Sequence, residues 1–464
     1  MPRHPLYHEP LRPRFHFTAR YWDDYRLNPG QCQEGWINDV NGLMQLDGEY
    51  HLFAQRWWAC WLHAVSRDLV HWQELPPAFG ADETCDGTQS GGGVVDYQNT
   101  SGLAIGDAPV MVAFWTARDN RSQCISYSND RGRTWTKYAN NPVLDHPCRD
   151  PKVFWHSPTQ KWIMILYGPV QEQPDGQKKH FYTLFSSQNL LDWEPLHSLP
   201  DLYECPDMFE LPIDGDPSRT RWVIVNGDGD YLLGQFDGTR FTPESGKLTG
   251  DHGKHFYATM TWGDFPDDPW RRVQIAWMRR WGLELDMPFN QLLTFPCDCS
   301  LHDTPDGLRM FRYPIPELAT LYEREWSADS IYAGDVAFLE DVTDTELDVE
   351  LVADLRRSTC DKARLIFQGR SVVLDLAERK VHAQQTDASL EPDQEKVHLR
   401  MLVDRLSVET FVDRGRLSFS NVALPVAHMP PIALHTEDGD LHIDSLRIRG
   451  IQTMWAGTAA RKPL

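Results

Sequence analysis

The chain has 464 residues, enough to bury a large core in two domains, with 41% hydrophobic and 24% charged residues as in ordinary globular proteins. Its 67 acidic against 45 basic residues leave a formal net charge of -22, which repels phosphate backbones and anionic lipid. No nucleic-acid or membrane partner is therefore expected; a neutral substrate suits the charge better, and a homodimer is left open. No apolar run approaches the ~18 residues of a membrane span. MPRHPLYHEPLRPRF lacks the apolar centre of a secretory signal. Nine scattered cysteines include no CxxC pair, so reduced thiols, no zinc site and a cytoplasmic location are expected.

Helical periodicity is scarce. Short apolar or alternating runs such as 50–53, 110–115, 162–166 and 222–225 are bounded by Gly, Pro, Asn or Asp turns, an all-β pattern. A weak repeat runs through them: SRDLVHW ends at Trp72, SNDRGRTW at Trp135, SSQNLLDW at Trp193 and FDGTRF at Phe241. The spacing approximates one four-stranded sheet, which points to a β-propeller over residues 1–305. Of 18 tryptophans, only Trp326 and Trp455 lie beyond residue 300. A linker is expected at 306–330. Alternating segments over 331–464, among them ELDVELVAD, SVVLDLAE and VHLRMLVD, predict a C-terminal β-sandwich. Trp455 either packs back or belongs to a loose tail.

Three acids stand beside Trp, Tyr, Cys or Pro at the ends of apolar strands: Asp39 in GWINDVNGL, Asp150 in CRDPK and Glu204 in YECPDMF. Glycoside hydrolysis needs two carboxyl groups flanking one bond, and dissimilar surroundings push their pKa values apart. A third can hold sugar hydroxyls. No phosphate-cradling loop accompanies them, since SGGGVV lacks the lysine of a P-loop. No metal or organic cofactor is expected.

WINDVNGL followed by GEYHLFAQ resembles the WMNDPNG…YHLFYQ signature of glycoside hydrolase family 32, the invertases, inulinases and levanases. HAVSRDLVHW, Ser90-Gly91, RDPKVF, ECPDMF, YLLGQFDGTRF, HFYATMTW, IAWM and VDRLSVETFVDRG match further landmarks in order, from about residue 30 to 450. The resemblance implies a five-bladed propeller followed by a β-sandwich and a retaining β-fructosidase activity on sucrose, fructo-oligosaccharides or fructans. It implies Asp39 as nucleophile, Glu204 as acid/base and Asp150 as a fructose-binding carboxylate. Asn38, Gln55, Ser90 and Arg149 would contact fructose, with Arg149 orienting a carboxylate bidentately. Trp277 would form an aromatic wall, and Trp57 or Trp58 another.

Several positions depart from the family pattern. Val40 replaces Pro, Ala54 replaces Tyr, Cys148 replaces Phe, and Ser90-Gly91-Gly92-Gly93 replaces SGSA, which is expected to loosen the backbone. The segment after Gln55 is short and rich in Trp (57, 58, 61). These changes put the substrate, not the reaction, in question, and favour short fructosides. Intramolecular fructosyl transfer to a difructose anhydride and a non-catalytic fructan-binding role remain as alternatives. A sialidase is disfavoured because the Asp-box-like SNDRGRTW occurs once and without an arginine cluster; an inverting arabinanase-like propeller is disfavoured by VDRLSVETFVDRG.

Overall fold

The computed structural model describes residues 5–20, 35–57, 59–82, 85, 87–119, 121–283 and 285–455. Strands joined by tight turns make up nearly all of it. The N-terminal part folds into successive antiparallel meanders, five among the described residues, each opened by an inner strand. These inner strands are β1 (Val40–Leu46), β2 (Gly93–Asp96), β3 (Arg149–His156), β4 (Asp207–Ile213) and β5 (Phe256–Trp262). β1 packs against both β2 and β5, β2 against β3, and β4 against β5. Lys152 Nζ on β3 reaches Asp207 Oδ1 on β4 at 3.1 Å and the Thr261 carbonyl on β5 at 3.1 Å. The inner strands thus close a ring, the arrangement of a β-propeller. The fourth and fifth meanders also share one parallel bridge, Ile213 to Leu301.

The repeated turns have one physical cause. Asp68, Asp130, Asn189 and Asp237 each accept backbone N–H groups from residues two to four positions on, closing the loop between the third and fourth strands of their meanders. In three of them the following indole N–H donates back into the turn: Trp72 to the Leu69 carbonyl, Trp135 to Gly132 and Trp193 to Leu190. Leu69, Arg131 and Leu190 have left-handed φ of 62°, 57° and 64° inside these turns.

The C-terminal part is a sandwich of a six-stranded and a five-stranded sheet around an aliphatic core. The six-stranded sheet contains β6 (Leu347–Asp354), β7 (Lys396–Val403) and β8 (His442–Ile451), with β6 between the other two. From Val349 on, β6 alternates buried and part-exposed residues, as a one-sided strand must. The expected connector at 306–330 is mostly strand. Gly307–Pro314 pairs with Cys297–Thr304 in the propeller, and Tyr322–Tyr332 pairs with β8 in the sandwich. Only 315–321 joins them. Pro314 and Pro316 sit just where pairing stops, as residues without a backbone N–H must.

One apolar core joins the two parts. It combines Phe15 and Phe17, residues of the first and fifth meanders, and Leu402, Phe411, Ile451 and Trp455. Trp455 packs back, its ring stacked on Tyr7 at 4.2 Å and its N–H donating to the Pro13 carbonyl. Beside this core, fully buried His16 lies between Asp404 Oδ2 at 2.9 Å and Glu409 Oε2 at 2.8 Å. Asp404 also accepts the backbone N–H groups of Arg14, Phe15 and His16. Burial alone would lower the His16 pKa, but the two carboxylates outweigh it and raise the value from 6.5 to about 9.

A histidine whose pKa rises on folding stabilises the folded chain while protonated. Its full contribution holds below pH 6.5 and is lost as pH rises through about 9. The shift corresponds to about 3 kcal/mol. Denaturant unfolding at pH 6 and pH 9.5 should show that loss in the parent chain. In His16→Gln the difference should be much smaller, and the stability at pH 6 lower.

Candidate active site

A cavity of ≈ 370 Å³ opens at the N-terminal ends of the inner strands. It is lined by Asp39, Asp150 and Glu204 together with Asn38, Gln55, Trp57, Gln89, Ser90, Arg149, Cys205, Tyr257, Trp277, Arg279 and Trp281. The three acids come from just ahead of β1, the first turn of β3 and the residues leading into β4. A larger cavity of ≈ 610 Å³ lies toward the opposite strand ends, among residues such as Gln45, His156 and Glu210, and holds none of the three. Chemistry, not size, selects the smaller one.

Local backbone irregularity delivers the side chains. Pairing registers shift between Asn41 and Met44 in β1, between Arg149 and Lys152 in β3 and between Tyr257 and Met260 in β5. Such bulges re-aim side chains at the rim of a sheet. Asp150, Glu204, Cys205 and Ala258 hold left-handed φ of 60°, 47°, 42° and 47°. Non-glycine residues adopt this region at a cost of roughly 1–3 kcal/mol each, sustained by the surrounding structure. Here the Asp150 N–H donates to Thr116 Oγ1, and Tyr182 donates to the Glu204 carbonyl at 2.6 Å.

Asp39 accepts the Ser90 hydroxyl at 2.5 Å, and Ser90 in turn accepts the Gln55 amide at 2.6 Å. Asn38 is oriented by Trp36 Nε1 and the Trp57 N–H, both donating to its Oδ1. Burial raises the Asp39 pKa; the Ser90 hydrogen bond opposes that rise and the nearby Glu204 charge adds to it. Burial pushes Asp150 up to about 7, with Arg149 opposing and Glu204 and Asp39 adding to the rise. Burial also lifts the Cys205 thiol well above its ordinary value, which keeps it a thiol; its backbone N–H donates to Asp150 Oδ2.

Arg149 does not grip one carboxylate with both nitrogens as expected. Its Nη2 donates to Glu204 Oε1, while its Nε lies 3.5 Å from Asp150 Oδ2, so one cation spans two acids. The guanidinium also lies 4.6 Å above the Tyr167 ring. The other Glu204 oxygen accepts the Tyr257 hydroxyl, whose proton is held by burial. Tyr257 was not singled out by the sequence, although HFYATMTW contains it. Arg279 stacks on the Tyr257 ring at 3.4 Å, a second residue without a sequence signal.

Asn38, Gln55, Ser90, Arg149 and Trp277 all line the cavity with the three acids. Trp57 lines it too, while Trp58 lies outside the described residues. Trp61 does not: it is buried in a separate core and donates to the Gln89 carbonyl. The aromatic wall is larger than expected. Trp36 stacks on Trp57 at 4.5 Å and on Trp281 at 6.0 Å, and Trp281 meets Trp277 edge-on at 5.3 Å. Trp281 is 60% exposed, a flat apolar platform at the mouth. Its place three residues after Met278 of IAWM was the available cue.

Comparison with known proteins agrees with this architecture. Residues 30–314 match the glycosyl hydrolases family 32 N-terminal domain, and residues 363–450 match the family 32 C-terminal domain. The chain belongs to glycoside hydrolase family 32. A levanase of Bacillus subtilis is 33% identical over 97% of this chain and 72% of its own length. An extracellular exo-inulinase of Aspergillus niger is 29% identical over 95% of this chain and 96% of its own. The crystal structure of exo-inulinase from Aspergillus awamori superposes with a TM-score of 0.80 at 25% identity, covering 97% of this chain and 100% of that one. This family 32 protein is thus a glycoside hydrolase with a propeller and a sandwich.

The SGGG segment corrects an expectation. A Cβ on Gly91 would lie 1.9 Å from the Phe114 carbonyl oxygen, and one on Gly92 would lie 2.8 Å from that of Pro151. The Gly91 N–H donates to Asn41 Oδ1, and its carbonyl accepts from Gly42. The glycines clamp this backbone against its neighbours; they do not loosen it. Gly91→Ala should therefore destabilise the chain by more than about 3 kcal/mol, because backbone must move. Gly246→Ala, with nothing within 4 Å of the added carbon, should be near neutral in the same thermal or denaturant unfolding assay.

Proposed function

We propose that this enzyme is a retaining β-fructosidase that removes terminal β-D-fructofuranosyl units. The observation that carries the reading is one cavity holding three acids in three different settings. Asp39 is held by a serine hydroxyl, Asp150 is buried at the floor, and Glu204 is shared by Arg149 and Tyr257. The levanase, exo-inulinases and invertases among the relatives support a fructoside as substrate. On this reading the five meanders are the five blades of the propeller.

In the proposed reaction Asp39 attacks the anomeric carbon and forms a fructosyl-enzyme. The Ser90 hydrogen bond favours the ionised nucleophile against the effect of burial. Glu204 protonates the departing oxygen and then takes a proton from the incoming water. Asp150 accepts hydrogen bonds from fructose hydroxyls. Arg149, between Glu204 and Asp150, holds both in place and offsets their repulsion. Tyr257 and Arg279 position Glu204 from its other side.

Two substitutions should fail differently. Asp39→Ala should abolish turnover of every fructoside. Glu204→Ala should lose roughly 10²–10⁴-fold on poor leaving groups and much less on activated ones. Azide should accelerate the Glu204 variant with an activated fructoside and leave the Asp39 variant dead; azide rescue of Asp39→Ala would reverse the roles. The first product seen by NMR should be the β-anomer. Early appearance of the α-anomer would mean inversion and a carboxyl separation beyond the about 5–5.5 Å of retaining enzymes.

The cavity is a pocket with an aromatic rim, which favours end-on capture of a short chain. We therefore expect kcat/KM to be higher for sucrose or a fructosyl trisaccharide than for long inulin or levan. The reverse order in a direct comparison would show that the rim binds extended polymer. Trp281→Ala should raise KM more than it lowers kcat, since that exposed platform lies at the mouth of the cavity and bonds none of the three acids.

A further inference from the structure

The outer face of the six-stranded sheet carries a second chemical cluster. Asp354 at the end of β6 is the cross-strand partner of His442 at the start of β8, and on its other side it faces Lys396 of β7. Asp444 follows His442 by two residues, next to a register shift between Val352 and Ala353. His442, Asp444 and Asp354 each offer a ligand atom, all within 4.8 Å of one another.

The histidine is the unusual member. It is fully buried, and neither ring nitrogen makes a hydrogen bond. Its Nδ1 lies 3.5 Å from Asp444 Oδ1, and the Tyr332 ring covers it edge-on at 5.1 Å. A buried polar group without a partner is costly, so such a nitrogen calls for an explanation. The carboxylates around it are already oriented. Asp354 Oδ1 accepts the N–H groups of Arg356 and Arg357, and Asp444 Oδ2 pairs with Lys396 Nζ at 2.5 Å.

We propose that Asp354, His442 and Asp444 form a structural site for a zinc-class divalent cation that ties the end of β6 to the start of β8. One imidazole nitrogen with two carboxylates suits zinc, whose ligand bonds are near 2.0–2.2 Å. Calcium needs six to eight oxygens, which this group does not supply. Lys396, with its side chain 59% exposed, can swing off Asp444 when the cation enters. The other close grouping, Asp375, Glu378 and His382, is a poorer seat. Glu378 is exposed and His382 partly exposed there, so water can serve its histidine, whereas His442 is buried and unbonded.

The full chain, stripped with chelator, should bind zinc chloride in isothermal titration and gain thermal stability from it, with calcium chloride giving neither effect. Asp444→Asn should weaken zinc binding by at least about tenfold, and His442→Gln should abolish it. Lys396→Met should strengthen binding by removing the competing cation, and Glu378→Gln should leave it unchanged. If His442→Gln does not fold, Asp444 at the rim decides the matter. Absence of zinc binding, unaltered affinity in Asp444→Asn, or loss of binding in Glu378→Gln would overturn the site.

Discussion

Three carboxylates share one small cavity, with the Arg149 guanidinium set between two of them. That crowding governs the rest of the site. Burial raises each acid's cost of ionisation, and like charges at close range raise it further, as the displaced values of Asp39 and Asp150 record. Arg149 reaches both Glu204 and Asp150, so removing it would leave buried Asp150 and part-buried Glu204 facing each other without a counter-charge. The Ser90–Gln55 chain then distinguishes Asp39 from its neighbours by giving it a dedicated donor. A neutral sugar adds no charge to this arrangement, whereas an anionic substrate would worsen it.

Holding such groups together requires a frame that resists relaxation. The closed ring of inner strands supplies it, because no one strand can shift without disturbing two neighbours. Register shifts in β1, β3 and β5 lie at the cavity end of the ring, beside residues with left-handed φ at Asp150, Glu204 and Ala258. The sandwich braces the same ring. Asp251, just ahead of β5, takes Arg312 Nη2 at 2.5 Å and the Ser420 N–H at 3.0 Å, joining propeller and sandwich through buried charge. His16 between Asp404 and Glu409 performs a similar service for the N-terminal segment.

Much of this was legible in the sequence where the signal is local. The polar turn closing on an aromatic recurs because an Asx side chain and a returning indole N–H build the same loop in successive meanders. Asp39, Asp150 and Glu204 stood out because their neighbours are apolar or conformationally restricted residues. What escaped notice depends on ring closure. Tyr257 reaches Glu204, with Arg279 stacked on its ring, only because β5 and its partner strand close against β1, and no local pattern announces that encounter. The glycines at 91 and 92 were misjudged for the same reason: their freedom looks like looseness until the Phe114 and Pro151 carbonyls are seen pressed against them. Asp354, His442 and Asp444 carry no motif spacing, since β6 and β8 meet across almost ninety positions of chain.

The placement of Glu204 sets a condition on any catalytic cycle. In the free enzyme its Oε1 is engaged by Arg149 and its Oε2 by Tyr257. On the proposed roles, a departing glycosidic oxygen must compete with one of these donors for the carboxyl group. Tyr257 is the easier to displace, because its hydroxyl is a neutral donor and Arg149 is a charged one with a second anchor at Asp150. Arg279, stacked on the Tyr257 ring, keeps that side chain close enough to return. Arg149 would then hold Glu204 fixed through both halves of the reaction, while Tyr257 yields to the leaving group in the first and to water in the second.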